Sequence, residues 1–189
     1  MKKFNSFDTA KTYSETEKLP AGGYVIKIMA ASEETASNGN AFLKISFDIA
    51  EGEYAGYYER KYRAANENDK KWKGNINLYV PLEDGSEQDE YTASKFKTSI
   101  MNIEESNAGY HWDWDEKKLK GKLAGCVFRE KEYEYEGNSV FFAEPFRIVS
   151  ADNIRNNKFR MPKPKLLNGG SFGSTPVTAD SVTDDDLPF

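Results

Sequence analysis

The sequence predicts a mostly β protein: a small barrel of five or six strands with one helix, followed by a disordered tail. Aromatic side chains make up 14% of the residues, and such residues favour strands. Apolar residues alternate with polar ones in several short segments that turn signals separate at regular spacing. The periodicity stops after Ser150, where prolines and glycines become frequent.

The first half of the predicted barrel contains an arm and two strands. Residues 1–19 are polar and are interpreted as an N-terminal arm, and residues 24–31 form the first strand. The turn signal at residues 37–40 precedes residues 42–49, where apolar side chains recur at every second position. A period of two predicts a half-buried strand. Its inward positions are Leu43, Ile45, Phe47 and Ile49.

The middle of the chain is predicted to hold two more strands and the helix. Residues 57–63, rich in Tyr, Arg and Lys, are interpreted as a strand, and residues 66–74 as a polar loop. Residues 75–80 alternate again, with Ile76, Leu78 and Val80 inward. In residues 92–105 apolar side chains recur at helical spacing, and Asn107 with Gly109 follows as a stop signal.

Two strands, residues 121–135 and 140–149, complete the prediction as a hairpin around Gly137-Asn138. Strands, one helix and two further strands follow the order of an OB-fold, although a fold alone does not give function. We therefore expect an OB-like domain at residues 20–150. A flexible linker, basic and then polar, is expected at residues 151–183, before a terminal segment at residues 184–189.

Charge is distributed unevenly along this chain, whose net charge is −5. Residues 151–167 carry five basic groups against Asp152, whereas residues 168–189 carry four aspartates and no basic group. Such blocks often contact partners. No apolar run approaches the roughly 18 residues that span a bilayer, and no signal region follows Met1. We expect a cytoplasmic protein without a membrane partner.

Residues that could carry catalysis are scarce. His111 is the only histidine and Cys126 the only cysteine, so neither a catalytic triad nor the usual zinc ligand set is indicated. Cys126 lies in an apolar segment and is expected to be a buried thiol. No phosphate-binding glycine loop is present. The sequence predicts no enzyme, no cofactor and no metal, although a magnesium site made only of carboxylates stays open.

A protein that binds single-stranded nucleic acid needs cations for the phosphates and flat side chains for the bases. Residues 58–79 interleave both kinds, and strand alternation places a second set on one face of the last hairpin. Trp72 is expected to reach outward from its loop. The alternative is a solvated sheet face, with Trp72 capping the barrel. The candidate DNA-binding residues are Phe42, Lys44, Tyr58, Arg60, Lys61, Tyr62, Arg63, Lys71, Trp72, Lys73, Tyr79, Arg129, Lys131, Tyr133 and Tyr135.

The last six residues form the most specific signal in the sequence. Pro188 restricts the chain before Phe189, which presents an aromatic ring and a carboxylate together. A partner can seat the ring in an apolar pocket and pair the acids with Arg or Lys. The candidate partner-binding residues are Asp184, Asp185, Asp186, Leu187, Pro188 and Phe189.

This ending closely resembles the tip of bacterial single-stranded DNA-binding proteins, the SSB family. The resemblance implies an OB-fold body that protects single-stranded DNA without sequence preference. It also implies a tip that recruits replication, recombination and repair enzymes. Three features differ from the usual form of this family: a longer body of about 150 residues, a Tyr-rich insertion at residues 54–74, and a neck that is basic and shorter than the usual linker. They are interpreted as marks of a phage or mobile-element version, in the cytoplasm or nucleoid of a bacterial host. Whether copies assemble into a homo-oligomer stays open.

Other functions remain compatible with the sequence. A phage single-strand annealing recombinase would pair complementary strands and is expected to contain more helix. A metal-dependent nuclease would degrade DNA only with added magnesium. RNA binding is a further variant, because a barrel of this kind does not require deoxyribose.

Overall fold

The computed structural model describes residues 17–66, 68 and 70–167 of the 189-residue chain. Most of the predicted N-terminal arm, and all of the chain from residue 168 onward, lie outside the described residues. The predicted partner-binding tip at residues 184–189 is therefore among the residues that the structure does not describe.

Within the described residues the chain forms five strands and three α-helices. The strands are β1 (Gly22–Thr35), β2 (Ala41–Ile49), β3 (Asn75–Tyr79), β4 (Leu123–Tyr135) and β5 (Asn138–Val149). The α-helices are α1 (Tyr57–Ala64), α2 (Glu87–Glu105) and α3 (Ala151–Arg155), and a 3-10 helix spans Glu116–Leu119. Throughout the part of the chain that the structure describes, no helix combines the length and apolarity needed to cross a membrane.

All five strands belong to one antiparallel sheet in the order β3-β2-β1-β4-β5. The edge strands β3 and β5 approach each other, and α2 contacts both of them. They form no hydrogen-bonded ladder with each other in the described chain, so the sheet curls but stays unclosed. The mostly β prediction is confirmed, whereas a closed barrel is not observed.

The alternation in β2 builds the centre of the core, as the sequence predicts. Leu43, Ile45, Phe47 and Ile49 are all buried. Phe42 and Asp48 are buried too, although alternation places both on the outward face. The Phe42 ring lies 5.8 Å from that of Tyr79 on the neighbouring strand.

Asp48 is buried because its carboxylate completes the start of α1. It accepts hydrogen bonds from the backbone N–H groups of Tyr58 at 2.9 Å and Glu59 at 3.0 Å. The residue that precedes the helix, Gly56, has no side chain to do this, and the first N–H groups of a helix need acceptors. The predicted strand at residues 57–63 is therefore wrong: an acid distant in sequence stabilises a helix in a segment whose tyrosines favour a strand.

The predicted helix at residues 92–105 is confirmed, and α2 begins five residues earlier at Glu87. The Ser86 hydroxyl caps it by accepting a hydrogen bond from the Asp89 N–H at 3.2 Å. Ile100 and Ile103 are buried against the sheet. The helix thus covers the gap between the two edge strands.

Strands β4 and β5 form the predicted last hairpin, and its outer part extends beyond the point where β1 begins. Pairing of β1 with β4 ends at Phe128, but β4 and β5 stay paired from Arg129 to the turn. Glu136 and Gly137 both have positive φ angles, 50° and 77°, which a tight hairpin turn requires. We call residues 129–144 the arm; this segment is distinct from the predicted N-terminal arm at residues 1–19.

Ordered contacts continue past Ser150, where the sequence predicts the start of a flexible linker. The helix α3 packs on the sheet so closely that a Cβ on Gly125 would lie 2.5 Å from Ile154. Further along, the backbone of Lys165 bonds to Glu130 and Glu132 on the edge of β4 that β1 leaves free. Residues 151–167 thus make contacts that hydrophobic periodicity does not predict, because the small glycine surface that receives α3 leaves no periodic signal in the chain.

Candidate nucleic-acid interface

The arm carries a row of basic and aromatic side chains on one face, as strand alternation predicts. The four residues on β4 are Arg129, Lys131, Tyr133 and Tyr135. Tyr135 is 58% exposed and Tyr133 39%. Both rings therefore have surface that a base could stack on.

Phe142 joins this face from β5, and the sequence analysis missed it. It pairs with Lys131, whose Nζ lies 5.7 Å from the centre of its ring. The Tyr133 and Phe142 rings meet edge to face at 5.4 Å. The cross-strand register is the signal that identifies it, because a residue on β5 shares the face of the β4 residue directly opposite.

Glu144 neutralises part of this face. Its carboxylate accepts hydrogen bonds from Arg129 Nε and Nη2 at 3.1 and 3.0 Å, and from Lys131 Nζ at 2.6 Å. Burial disfavours the charged carboxylate, but these hydrogen bonds outweigh it and hold the pKa of Glu144 below its ordinary value. A phosphate must compete with this internal anion for both cations.

The opposite face of the arm is acidic. Glu130, Glu132 and Glu134 alternate there along β4. Phe141 is exposed on this side but lies opposite Glu132. A phosphate would be repelled from this face.

The candidates on β2 and β3 are only partly available. Tyr79 is 45% exposed, whereas Phe42 is 8% exposed and has almost no surface left to stack on a base. Lys44 forms an ion pair with Glu34 at 3.1 Å. Of the three, Tyr79 is the residue that the fold presents to a ligand.

In α1 the candidates divide into buried and paired residues. Tyr58 is buried with its ring 5.6 Å from that of Phe47, and burial raises its pKa. It is part of the core, so the expectation that Tyr58 stacks on bases is wrong. Arg60 pairs with Glu17 at 2.9 Å and Arg63 with Glu59 at 2.5 Å. Lys61 Nζ lies 5.5 Å from the centre of the Tyr57 ring.

Trp72 is anchored to the sheet and packs against the core rather than extending from its loop. Its Nε1 donates to the carbonyl oxygens of Phe47 and Gly74, both at 3.1 Å, and its ring lies 5.8 Å from that of Tyr62. Gly74 is buried there, and the Phe47 carbonyl oxygen leaves no room for a Cβ at this position. This geometry resembles the alternative given in the sequence analysis, in which Trp72 is a cap, and not the expectation that it reaches outward. Lys71 and Lys73 flank it as exposed cations.

The described residues contain no group of three His, Cys, Asp or Glu side chains arranged to hold a metal ion. His111 is exposed. Cys126 is fully buried as expected, and burial raises the pKa of its thiol.

Comparison with known proteins gives one family match. A family model described as "Protein of unknown function (DUF669)" matches residues 5–81, which include β1, β2, α1 and β3. No curated protein matches the chain. The arm, with its basic and aromatic face, lies outside the matched region.

Proposed function

We propose that this protein binds single-stranded DNA without sequence preference and recruits DNA-processing enzymes through its last six residues. The observation that carries the proposal is the basic and aromatic face of the arm. Arg129 and Lys131 supply charge for phosphates there, beside the accessible rings of Tyr133, Tyr135 and Phe142. The mechanism is stoichiometric: the strand is covered, not converted.

The strand arrangement supports an OB-like barrel as the scaffold. An OB-fold is a five-stranded, partly open barrel, and it binds oligonucleotides on strands 2 and 3 and on the loops that follow strands 1 and 4. The order β3-β2-β1-β4-β5, with α2 between β3 and β4, is compatible with that architecture. The arm then occupies the position of the loop that follows strand 4, and Tyr79 lies on strand 3.

Stacking on the arm can supply the affinity that this stoichiometric mechanism needs. Each base stacked on an aromatic ring contributes roughly 1–3 kcal/mol, so two or three rings of the arm give useful affinity. The net charge of −5 works against distant attraction, and Glu144 works against it locally. Phosphate contacts are therefore expected to be few and the loss of affinity with increasing salt shallow, because each contact adds only about 0.7 to the slope of log K against log salt.

Recruitment rests on the tip, whose sequence resembles that of the SSB family. We propose that Phe189 docks in an apolar pocket of replication, recombination and repair enzymes, while Asp184, Asp185 and Asp186 meet a basic rim. This part of the proposal stands on the sequence alone, since the structure does not describe these residues.

The test is a fluorescence anisotropy titration of labelled oligo-dT and of duplex DNA at two salt concentrations. The wild-type protein should prefer oligo-dT. Replacing both Tyr133 and Tyr135 by Ala should weaken binding by about ten-fold or more, since each ring stacks on a base. Trp114→Ala is the matched control, because Trp114 is 77% exposed between Asp113 and Asp115 and does not belong to the arm. Failure of the wild type to bind oligo-dT in dilute buffer would refute the proposal.

A further inference from the structure

A large cleft opens at the seam of the sheet, between the edge strands β3 and β5 and below α2. Its volume is about 870 Å³, which lies within the range of small-molecule sites. Its lining is both aromatic and basic. The side chains used below are Tyr79, Lys95, Arg129, Phe146 and Arg147.

Phe146 occupies the centre of the basic part of this cleft. It is the extra residue of a β-bulge, because Val127 pairs with Arg147 and the next residue, Phe128, pairs with Pro145. A bulge redirects a side chain, and bulges are frequent beside functional sites. Three cations surround its ring: Arg129 at 4.8 Å, Lys95 at 5.9 Å and Arg147 at 6.0 Å from the centre.

Arg147 holds a hydrogen-bond donor that the fold does not use. Its Nη2 donates to the Arg160 carbonyl oxygen at 2.6 Å, which fixes the guanidinium group. Its Nε is buried and has no acceptor among the described residues. A buried donor without an acceptor is unfavourable, so a small movement of the side chain that let Nε donate to an anionic ligand would be favoured.

Carboxylates cancel only part of this charge. Glu144 lines the cleft, but its two oxygens are shared between Arg129 and Lys131. Asp84 and Asp89 lie beside β3 and the start of α2, where they accept hydrogen bonds from the backbone N–H groups of Ser86 and Leu82. No carboxylate pairs with Arg147 in the described part of the chain, so the part around Phe146 keeps positive charge next to flat rings, which is the combination that a nucleotide requires.

We propose that this cleft binds a nucleoside phosphate, with the phosphate at Arg147 and Arg129 and the base against Phe146. This inference rests on the proposed function, because it takes the nucleoside phosphate to be a nucleotide of the bound strand. Arg129 belongs both to the basic face of the arm and to the lining of the cleft. A strand that lies along the arm therefore continues into the seam, toward Tyr79 on β3.

The first experiment compares variants of the cleft in the full-length protein by oligo-dT anisotropy over a range of salt. Phe146→Leu should weaken binding about ten-fold with little change in the salt dependence, because it removes stacking alone. Arg147→Gln should flatten the slope of log K against log salt by about 0.7, the value for one phosphate contact on a single strand. Arg147→Lys should keep the slope and still weaken binding, because it keeps the charge and loses Nε. Phe141→Leu, on the acidic face of the arm, is the control.

The second experiment titrates dTMP, with inorganic phosphate in parallel, and follows the aromatic ring signals of the protein by NMR. The dTMP should shift ring signals that Phe146→Leu removes, and phosphate alone should not. If the wild type binds oligo-dT and all three cleft variants bind it equally well with unchanged slopes, the inference is overturned while the proposed function stands. If the wild type ignores oligo-dT, the proposed function fails. In that case dTMP decides: shifted ring signals support a free nucleotide as the ligand, and unchanged signals overturn the inference.

Discussion

Glu144 occupies both cations of the arm, so, if the arm binds DNA as proposed, removing its charge should strengthen DNA binding. Glu144→Gln keeps the shape of the side chain and removes the charge that holds Arg129 and Lys131. If one cation becomes available to a phosphate, log K should fall more steeply with log salt, by about 0.7 in slope. If the two proteins bind equally at about 1 M salt, that predicts an affinity gain of about eight-fold at about 50 mM salt and about three-fold at about 200 mM.

The assay is anisotropy of labelled oligo-dT at both salt concentrations. Glu134→Gln is the matched control, because Glu134 lies exposed on the opposite face of the same strand and its loss changes the net charge equally. A gain of the same size in Glu134→Gln would show that net charge alone is responsible. An unchanged or lower affinity in Glu144→Gln would show that Arg129 and Lys131 do not meet phosphates.

Three other predictions follow from the packing, the ion pairs and the tip. Gly23→Ala should lower the free energy of unfolding by about 1–3 kcal/mol, because its Cβ would lie 2.5 Å from the Phe159 ring; Gly22→Ala, whose nearest contact is 3.7 Å, should change it little, and equal denaturant midpoints would contradict this packing. Because the folded-state pKa of Glu144 lies below its ordinary 4.5, its ion pairs stabilise the protein above that pH and are lost as the pH falls through the lowered value. The melting temperature should thus fall more steeply with decreasing pH in the wild type than in Glu144→Gln, and parallel curves of melting temperature against pH would argue against this linkage. Deleting residues 184–189 should preserve or raise oligo-dT affinity, since it removes three aspartates, and should abolish capture of partner enzymes; a large loss of DNA affinity would contradict the assignment of the tip.

The sequence predicts those elements whose stability is local or follows from burial on one side. In β2, alternation predicts four inward residues, because the strand lies between a core and a surface. In α2, the spacing of Ile100 and Ile103 predicts the helix, and only its first turn is missed. The row on the arm follows from the period of two alone.

Elements that depend on distant groups are not predictable in this way. The helix α1 depends on the carboxylate of Asp48, ten residues before Tyr58, and composition alone favours a strand there. Trp72 sits beside cations and suggests an outward ring, but two carbonyl oxygens fixed by the fold bind its indole N–H. No periodicity in a single chain reports such partners.

Charged residues of the candidate site are subject to the same limit, because their ion-pair partners are set by the fold. Composition points to cations, but it cannot show that Lys44, Arg60 and Arg63 each already have a carboxylate partner. Phe146 and Arg147 were missed because a bulge brings them to the seam, and a bulge changes the register without leaving a turn signal.

The contact between Lys165 and β4 affects where the protein can be shortened. Past Phe128, β4 has lost β1 as a neighbour, and the backbone of Lys165 occupies part of the vacated edge. A protein truncated at Ser150, the boundary that hydrophobic periodicity suggests, would expose that edge and uncover Gly23 and Gly125. Unpaired edges recruit strands from other chains, so such a fragment is expected to aggregate, whereas one ending at Leu167 keeps its edge covered.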